Sequence, residues 1–543
     1  MRRKLVIVLP LVLCALFIPP ALLTTPLGPI ISQSPCVLSN LIGFSTFFGG
    51  TDDDTIHCVV ADDNGIMYIA GATLSSDIPS SGGPLRSYGG LSDFYVSKVN
   101  EAGIVFTTYI GGTSYEGSVD IHPAGGCWID VDDSGCIYMT GYTYSNDFPV
   151  VNAWDNSFNS GPDCFALKLS STGEIEYSTY IGGSGLDLGT SISVDDYGNA
   201  YITGWTTSPD FPVLNAFDES LSGSHDVFIA KLNSSGQLSY STYLGGGLSE
   251  HVLCGTSVVD GSGTLYVVGS TESSDFPTIN AYDSTINGIA GDLFFSRFNS
   301  SGHIQSSSFF GGSASDAPGN IAVDQEGNIY ISGHGSGDFP RTITLSSNPE
   351  IFVAKFDNSG QNLIYSAAFG GVSADNPYGL AIDDDGCPFI TGSTYSADFP
   401  MVDAYDHTRG GWRDSFLVKL SSGGDHILYS SYFGGSGEEI GLSVATNSWG
   451  VYLAGLTNST DFRTSNPIDQ FARGIEGFLI RMDNEWPDIT PTTETTPIVS
   501  TSTGTTSSGG LPTPVIDSLL VLGIGVEVVI IVAYIHRRRG QPE

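Results

Sequence analysis

Between residues 44 and 483 the apolar positions come in short runs, each of four to eight residues. The runs are rich in β-branched and aromatic side chains and are bounded by Gly, Asn, Asp, Ser or Pro. Such spacing predicts β-strands joined by tight turns. The runs recur in a fixed order. An apolar run such as "ISVD" or "IAVD" leads into a turn such as "DNG", "DYG" or "DDG". Next comes "MYIAG", "IYMTG", "AYITG" or a variant, then a loop ending in "DFP" or a near relative. A strand like "DVFIAKL" follows, then a turn, then "YSTYLGG". These four strands are named a, b, c and d in that order.

The closing Gly pair fixes the period. It stands at Gly49/Gly50, Gly111/Gly112, Gly182/Gly183, Gly245/Gly246, Gly311/Gly312, Gly370/Gly371 and Gly434/Gly435, at spacings of 59 to 71 residues. A four-stranded sheet with two apolar faces cannot bury both alone. Radial packing of such sheets buries them, which predicts an all-β, seven-bladed β-propeller over residues 44–485. "FSTFFGG" at 44–50 is a strand d without its own a, b and c. Blade 7 supplies a, b and c at 442–445, 451–455 and 477–482 and then leaves the repeat. Strand 44–48 is therefore expected to close the ring as the outer strand of blade 7, hiding two sheet edges.

The combined pattern "YSTYLGG … VD..GN.Y.TG.T.S.DFP … D.F.AKL...G" resembles the SBBP repeat, a β-propeller repeat of bacterial and archaeal surface proteins. The resemblance spans about residues 44–483. It implies the fold and carries over no shared chemistry.

Strand alternation sorts the loops onto two faces. The b–c and d–a connections share one end, here the top, and the a–b and c–d turns share the bottom. The fourth residue after each Gly pair is acidic: Asp54, Glu116, Asp187, Glu250, Asp316, Asp375 and Glu439. Read functionally, these form a top-face carboxylate ring that suits a hard cation such as calcium. Read architecturally, each accepts backbone N–H bonds within its own loop. The "DFP" aspartates (Asp77, Asp147, Asp210, Asp275, Asp338, Asp398, Asp461) suit loops pinned by Asx turns. The bottom "DDxG" turns lack the distal Glu of an EF-hand and read as hairpin turns. One basic residue per strand c (Lys98, Lys168, Lys231, Arg297, Lys355, Lys419, Arg481) is placed level with the acid ending strand a, which predicts repeated ion pairs.

Specific chemistry in a repeat protein is expected where the repeat is broken. Blade 2 carries a longer d–a loop, "TSYEGSVDIHPAGGCWID" at 113–130, with Glu116, Asp120, His122 and Trp128. Blade 4 adds Glu250, His251 and Cys254. These residues form the candidate binding site. A Trp beside carboxylates suits a sugar, and His with acids suits a metal. No G-x-S-x-G, H-E-x-x-H or P-loop pattern is present.

Composition narrows the partners. The 543-residue chain has 19 Lys plus Arg and a formal net charge of −39, which excludes nucleic acid as a natural partner. Residues 1–25 place three basic residues before an apolar run, the layout of a signal peptide or an N-terminal anchor. Residues 486–514 are dominated by Thr, Ser, Pro and Gly and read as a glycosylated stalk. Residues 515–536 form an apolar span long enough for a transmembrane helix, with Glu527 mid-span. The basic tail at 537–543 marks the cytoplasmic side. Seven cysteines follow the signal, without a C-x-x-C. Cys58 and Cys127 enter strand a of adjacent blades and are the expected disulfide. Sequons stand at Asn233, Asn299 and Asn458.

These features favour a membrane-anchored cell-surface propeller for binding, adhesion or structural display, without catalysis. Its expected partners are membrane lipid and a glycan or cell-surface protein. Two alternatives stand beside it: a glycan-active enzyme with its site in the blade 2 insertion, and a calcium-dependent adhesin using the top carboxylates.

Overall fold

Blade 3 shows how the pattern becomes structure. Strands Asp187–Val194, Ala200–Thr206, Asp226–Leu232 and Leu238–Leu244 pair antiparallel in sequence order. Side chains on both faces of strands b and c are buried almost throughout. The in/out alternation of a half-exposed sheet is absent there because each blade is covered on both sides.

The computed structural model describes residues 41–84, 86–119, 126–253, 255–288 and 291–483. They fall within the first of two units, divided after Asp488. The signal segment at 1–25, the stalk at 486–514, the transmembrane span at 515–536 and the tail at 537–543 lie outside the described residues. So do Cys36, Asp120, His122 and Cys254.

Seven sheets are present, and those of blades 4 and 5 each carry a fifth, short strand. Their a strands lie innermost, each touching the next, and the a strand of blade 7 (Glu439–Asn447) touches that of blade 1 (Cys58–Ala61). Seven of the apolar clusters sit in the seams, one between each pair of neighbouring blades. Phe94 and Phe106 of blade 1 meet Ile129, Met139 and Phe165 of blade 2. Tyr452 and Leu479 of blade 7 meet Ile56 and Ile69 of blade 1. The Phe of each "DFP" is buried against strand c, as Phe211 on Phe228 at 4.6 Å. The hydrophobic core is thus a ring of interfaces, and no blade is self-sufficient.

The ring closes as the sequence predicts. Ile42–Phe48 pairs antiparallel with Glu476–Asp483, Phe47 opposite Phe478, and forms the fourth strand of blade 7. The strand starts two residues earlier than expected, with a register shift between Ile42 and Phe44. The Asp483 N–H donates to the Leu41 carbonyl at 2.9 Å, so both ends of the propeller meet at the bottom.

The bottom turns are hairpin turns closed by their own aspartate. Asp62 Oδ1 accepts the N–H groups of Asn64 and Ile66, and Gly65 takes φ +76°. The expected ion pairs form in blades 3, 5 and 6: Lys231–Asp195 at 3.8 Å, Lys355–Asp324 at 3.3 Å and Lys419–Asp383 at 3.0 Å. Lys168 turns instead to Glu176 on strand d. Arg481 reaches Glu101 of blade 1, because blade 7 has Asn447 where the other blades have the acid. Tyr201 links this layer to the next blade. Lys231 lies over its ring at 4.5 Å, and its hydroxyl donates to Asp195 and to the Gly263 carbonyl of blade 4.

Candidate functional site

The seven top-face acids are engaged within their own blades. In blade 3, Asp187 Oδ2 accepts the Gly183 N–H at 2.8 Å and the Ser208 hydroxyl at 2.8 Å, while Thr206 donates to Oδ1 at 2.5 Å. Thr143 and Gly112 serve Glu116 in the same way, Thr271 and Gly246 serve Glu250, and Thr457 and Gly435 serve Glu439. Asp54, Asp316 and Asp375 accept the N–H of Gly50, Gly312 and Gly371. All seven are buried. In blades 3, 6 and 7 the acid is the first residue of strand a rather than part of the loop. Among the described residues no three His, Cys, Asp or Glu side chains come together as a metal cage.

The "T.S.DFP" motif follows from this network. Its Thr donates to the acid, its Ser braces the loop, and its Asp accepts the N–H of the residue after the Gly pair. Asp210 holds Ser184 N at 2.8 Å, and Asp147 holds Thr113 N at 2.9 Å. These bonds keep the Asp147 and Asp210 carboxyls below the usual range. The aspartate therefore ties two loops together, where the sequence suggested a turn within one.

Beneath six of the seven acids lies a second buried carboxylate, at or just before the start of strand c; under Asp375 the equivalent Glu350 is only partly buried and pairs with His334 instead. A Cβ on Gly182 would sit 2.7 Å from Asp163 Oδ1 and 3.0 Å from Asp187 Oδ2, so glycine is required where the two converge. Asp93 with Glu116, Asp226 with Glu250, Asp292 with Asp316, Asp414 with Glu439 and Glu476 with Asp54 converge alike. Burial raises these carboxyls: Asp93 and Asp54 to about 6, Asp163 and Glu439 to about 7, and Glu476 to about 8. Oxygens of Asp54, Asp163 and Glu476 are buried without a hydrogen-bond partner. Burial disfavours the charged form of each, and two adjacent charges would be costly in a low dielectric.

Of the blade 2 candidate residues, Glu116 and Trp128 lie within the described residues. Glu116 is buried in its network. Trp128 is half-buried, and a Cβ on Gly255 of blade 4 would touch its ring, so it spans inward past blade 3 instead of presenting a face to solvent. Cys58 and Cys127 share one apolar seam but are thiols in the structure, not the expected disulfide. The Cys58 thiol points to the Ile129 carbonyl at 3.6 Å, and Cys127 Sγ stands 3.9 Å from His57 Nδ1. His57, which the sequence reading passed over, is buried beside them, and burial lowers it to about 4.

Two groups of large side chains, one exposed and one half-buried, emerge on the top face. At the blade 1–2 seam, Leu91, Tyr115 and Tyr144 are 54%, 40% and 49% exposed. Their backbones are adjacent: Leu91 N–H donates to Ser114 O, and Tyr144 N–H to Tyr115 O. Tyr142 packs edge-on against Tyr144 at 6.0 Å. Tyr115 belongs to the long loop that the sequence singled out. At the blade 3–4 seam, His251 meets His225 at 5.1 Å between ring centres, and Trp205 lies 5.3 and 5.9 Å from the two. All three are half-buried. The sequons at Asn233 and Asn299 lie in bottom c–d turns, and Asn458 lies on the top beside Thr457. A separate cavity of about 570 Å³, lined by polar and apolar groups alike, opens on the bottom between blades 4 and 5, beside Tyr266 and Arg297.

Comparison with known proteins bears out the repeat. Residues 176–212 and 309–340 match the SBBP beta-propeller repeat, running in each case from strand d into the next "DFP" loop. No curated protein matches the chain. Among solved structures, a protein of unknown function from Dyadobacter fermentans is 9% identical, covering 81% of this chain and 98% of its own at a TM-score of 0.39. A family PL25 ulvan lyase is 11% identical, with coverages of 80% and 96% and a TM-score of 0.43. The quinohemoprotein alcohol dehydrogenase of Comamonas testosteroni is 11% identical, with coverages of 82% and 78% and a TM-score of 0.35.

Proposed function

We propose that this SBBP-repeat propeller is a cell-surface binding protein, held by its C-terminal apolar span and glycosylated on its stalk and at Asn233, Asn299 and Asn458. Its top face takes a glycan-type ligand without catalysis. One observation carries the reading: three large exposed side chains, Leu91, Tyr115 and Tyr144, stand on backbone segments that adjoin at the blade 1–2 seam, Tyr115 within the extended blade 2 loop. Tyrosines offer an apolar face for a sugar ring and a hydroxyl for its polar edge, and large exposed apolar groups in contact mark interaction sites. The apolar run at 515–536 followed by Arg537, Arg538 and Arg539 supports a single span with the propeller outside.

The two alternatives have less support. A glycan hydrolase needs carboxylates that reach the substrate, and Glu116 and Glu250 are buried beneath their loops. A calcium adhesin needs several free oxygens at one point, and the ring acids already accept N–H and O–H groups in separate blades.

The test is binding of the full-length protein, in detergent or vesicles, to a polysaccharide panel with and without calcium. The expected result is calcium-independent binding that a Tyr115→Ala/Tyr144→Ala double variant loses by at least about tenfold at unchanged melting temperature. Binding that survives the double variant, or no binding by the wild type, refutes the proposal.

A further inference from the structure

The blade 3–4 seam departs from the repeat in a way no other seam does. His225 precedes the buried Asp226 that opens strand c, and His251 follows the buried Glu250 of the next strand a. At the other six seams these two positions hold Ser92 and Gly117, Pro162 and Leu188, Gly291 and Ala317, Pro349 and Asn376, Arg413 and Ile440, and Ile475 and Thr55. Imidazoles occupy both positions only here.

The backbone fixes their meeting. Glu250 N–H donates to the His225 carbonyl at 2.9 Å, and His225 bridges Ser249 in parallel. Asp226 and Glu250 both converge on Gly245. Their chain neighbours, whose side chains alternate to the other side of the strand, are brought together.

We infer that His225 and His251 form a binding site for a borderline transition-metal ion of the Zn²⁺, Ni²⁺ or Cu²⁺ class. Imidazole nitrogens bind such ions at about 2.0–2.1 Å, which puts each ring centre about 3.2 Å from the metal. Two such rings at a tetrahedral angle have centres about 5.2 Å apart. The observed separation is 5.1 Å, with the rings tilted by 42°.

The surroundings fit. Ser224 Oγ lies 2.8 Å from His225 Nδ1 and 2.7 Å from Ser249 Oγ. A chain in which Nδ1–H donates to Ser224, and Ser224 donates to Ser249, leaves the Nε2 lone pair for the metal. Such second partners orient ligating histidines elsewhere. Burial lowers the pKa of both imidazoles, and the neighbouring His225 lowers that of His251 further. The exposed Glu272 carboxylate adds negative potential at His225. Water completes the coordination, and the half-buried rings keep the site open to solvent. Imidazole pairs favour ions of this class over Ca²⁺ or Mg²⁺.

The test is calorimetric titration of the full-length protein with Zn²⁺, Ni²⁺, Cu²⁺ and Ca²⁺, alongside tryptophan fluorescence. One equivalent of Cu²⁺ or Ni²⁺ is expected to bind and quench emission, with no matching Ca²⁺ event. His225→Gln and His251→Gln should each weaken binding at least about tenfold. Trp205→Phe should remove most of the quenching while leaving the calorimetric affinity unchanged, a result that a folding defect would not produce. One-equivalent binding that persists in the double His variant with a native melt, or no binding by the wild type, overturns the inference.

Discussion

Replacing Asp163 with Asn tests whether the paired seam carboxylates are held together by protons. Asp163 and Asp187 converge beside Gly182, and burial raises Asp163 from 3.8 to about 7. In the unfolded chain it titrates near its ordinary value. The folded state therefore binds this proton more tightly. The resulting stability is fully present below about pH 4 and is lost as pH rises through about 7. A shift of about three units at about 1.4 kcal/mol each gives about 4 kcal/mol as the ceiling. Relaxation of the loop and an effective dielectric near 20 reduce this to about 2 kcal/mol. Asn keeps the oxygen that accepts the Asn159 N–H and replaces the other with a donor toward Asp187. Denaturant unfolding followed by circular dichroism at about pH 4.5, 6 and 8 should show wild-type stability falling with pH. Asp163→Asn should match the wild type at pH 4.5 and exceed it by about 2 kcal/mol at pH 8. Wild-type stability that rises from pH 5 to 8, or a variant less stable than wild type at pH 8, refutes the proton-sharing account.

Three further outcomes follow from the same geometry. Gly182→Ala puts a methyl group against two carboxylates and should cost about 1–3 kcal/mol by the same unfolding assay. Deleting residues 41–50 strips the outer strand of blade 7; hydrogen exchange should show protection lost over 476–483, not first in blade 1. Lys231→Met keeps the stem over Tyr201 and removes the bonds to Asp195 and the Ser300 carbonyl, so the expected loss is about 1 kcal/mol, read as a melting shift.

The strand order, the blade count and the closing strand were legible in the sequence because each is a local signal repeated seven times. Repetition also gave the architectural reading of Asp54, Glu116 and Asp187 as loop fasteners. Their second partners were not legible. Asp163 meets Asp187 only after a hairpin and a change of blade, and no local spacing encodes that meeting. The tyrosine patch and the His225–His251 pair were missed for the same reason, since each joins residues from different blades. Trp128 was misplaced onto the surface because its position at the top of strand a does not reveal that its ring reaches across to Gly255. Both histidines stood in the sequence as departures from the repeat, but only His251 drew notice.

The last strand c, Glu476–Asp483, is hydrogen-bonded along one side to strand b of its blade and along the other to the first strand of the propeller. The chain runs on from this strand. Tension applied beyond Asp483 is therefore directed along the strand and loads both rows of hydrogen bonds in shear, so that they resist together instead of opening one at a time. Leu41 leaves from the same corner, and a tether at either end pulls on the same doubly bonded seam. A propeller closed in this way resists a pull on its chain by sharing the load across the whole of blade 7.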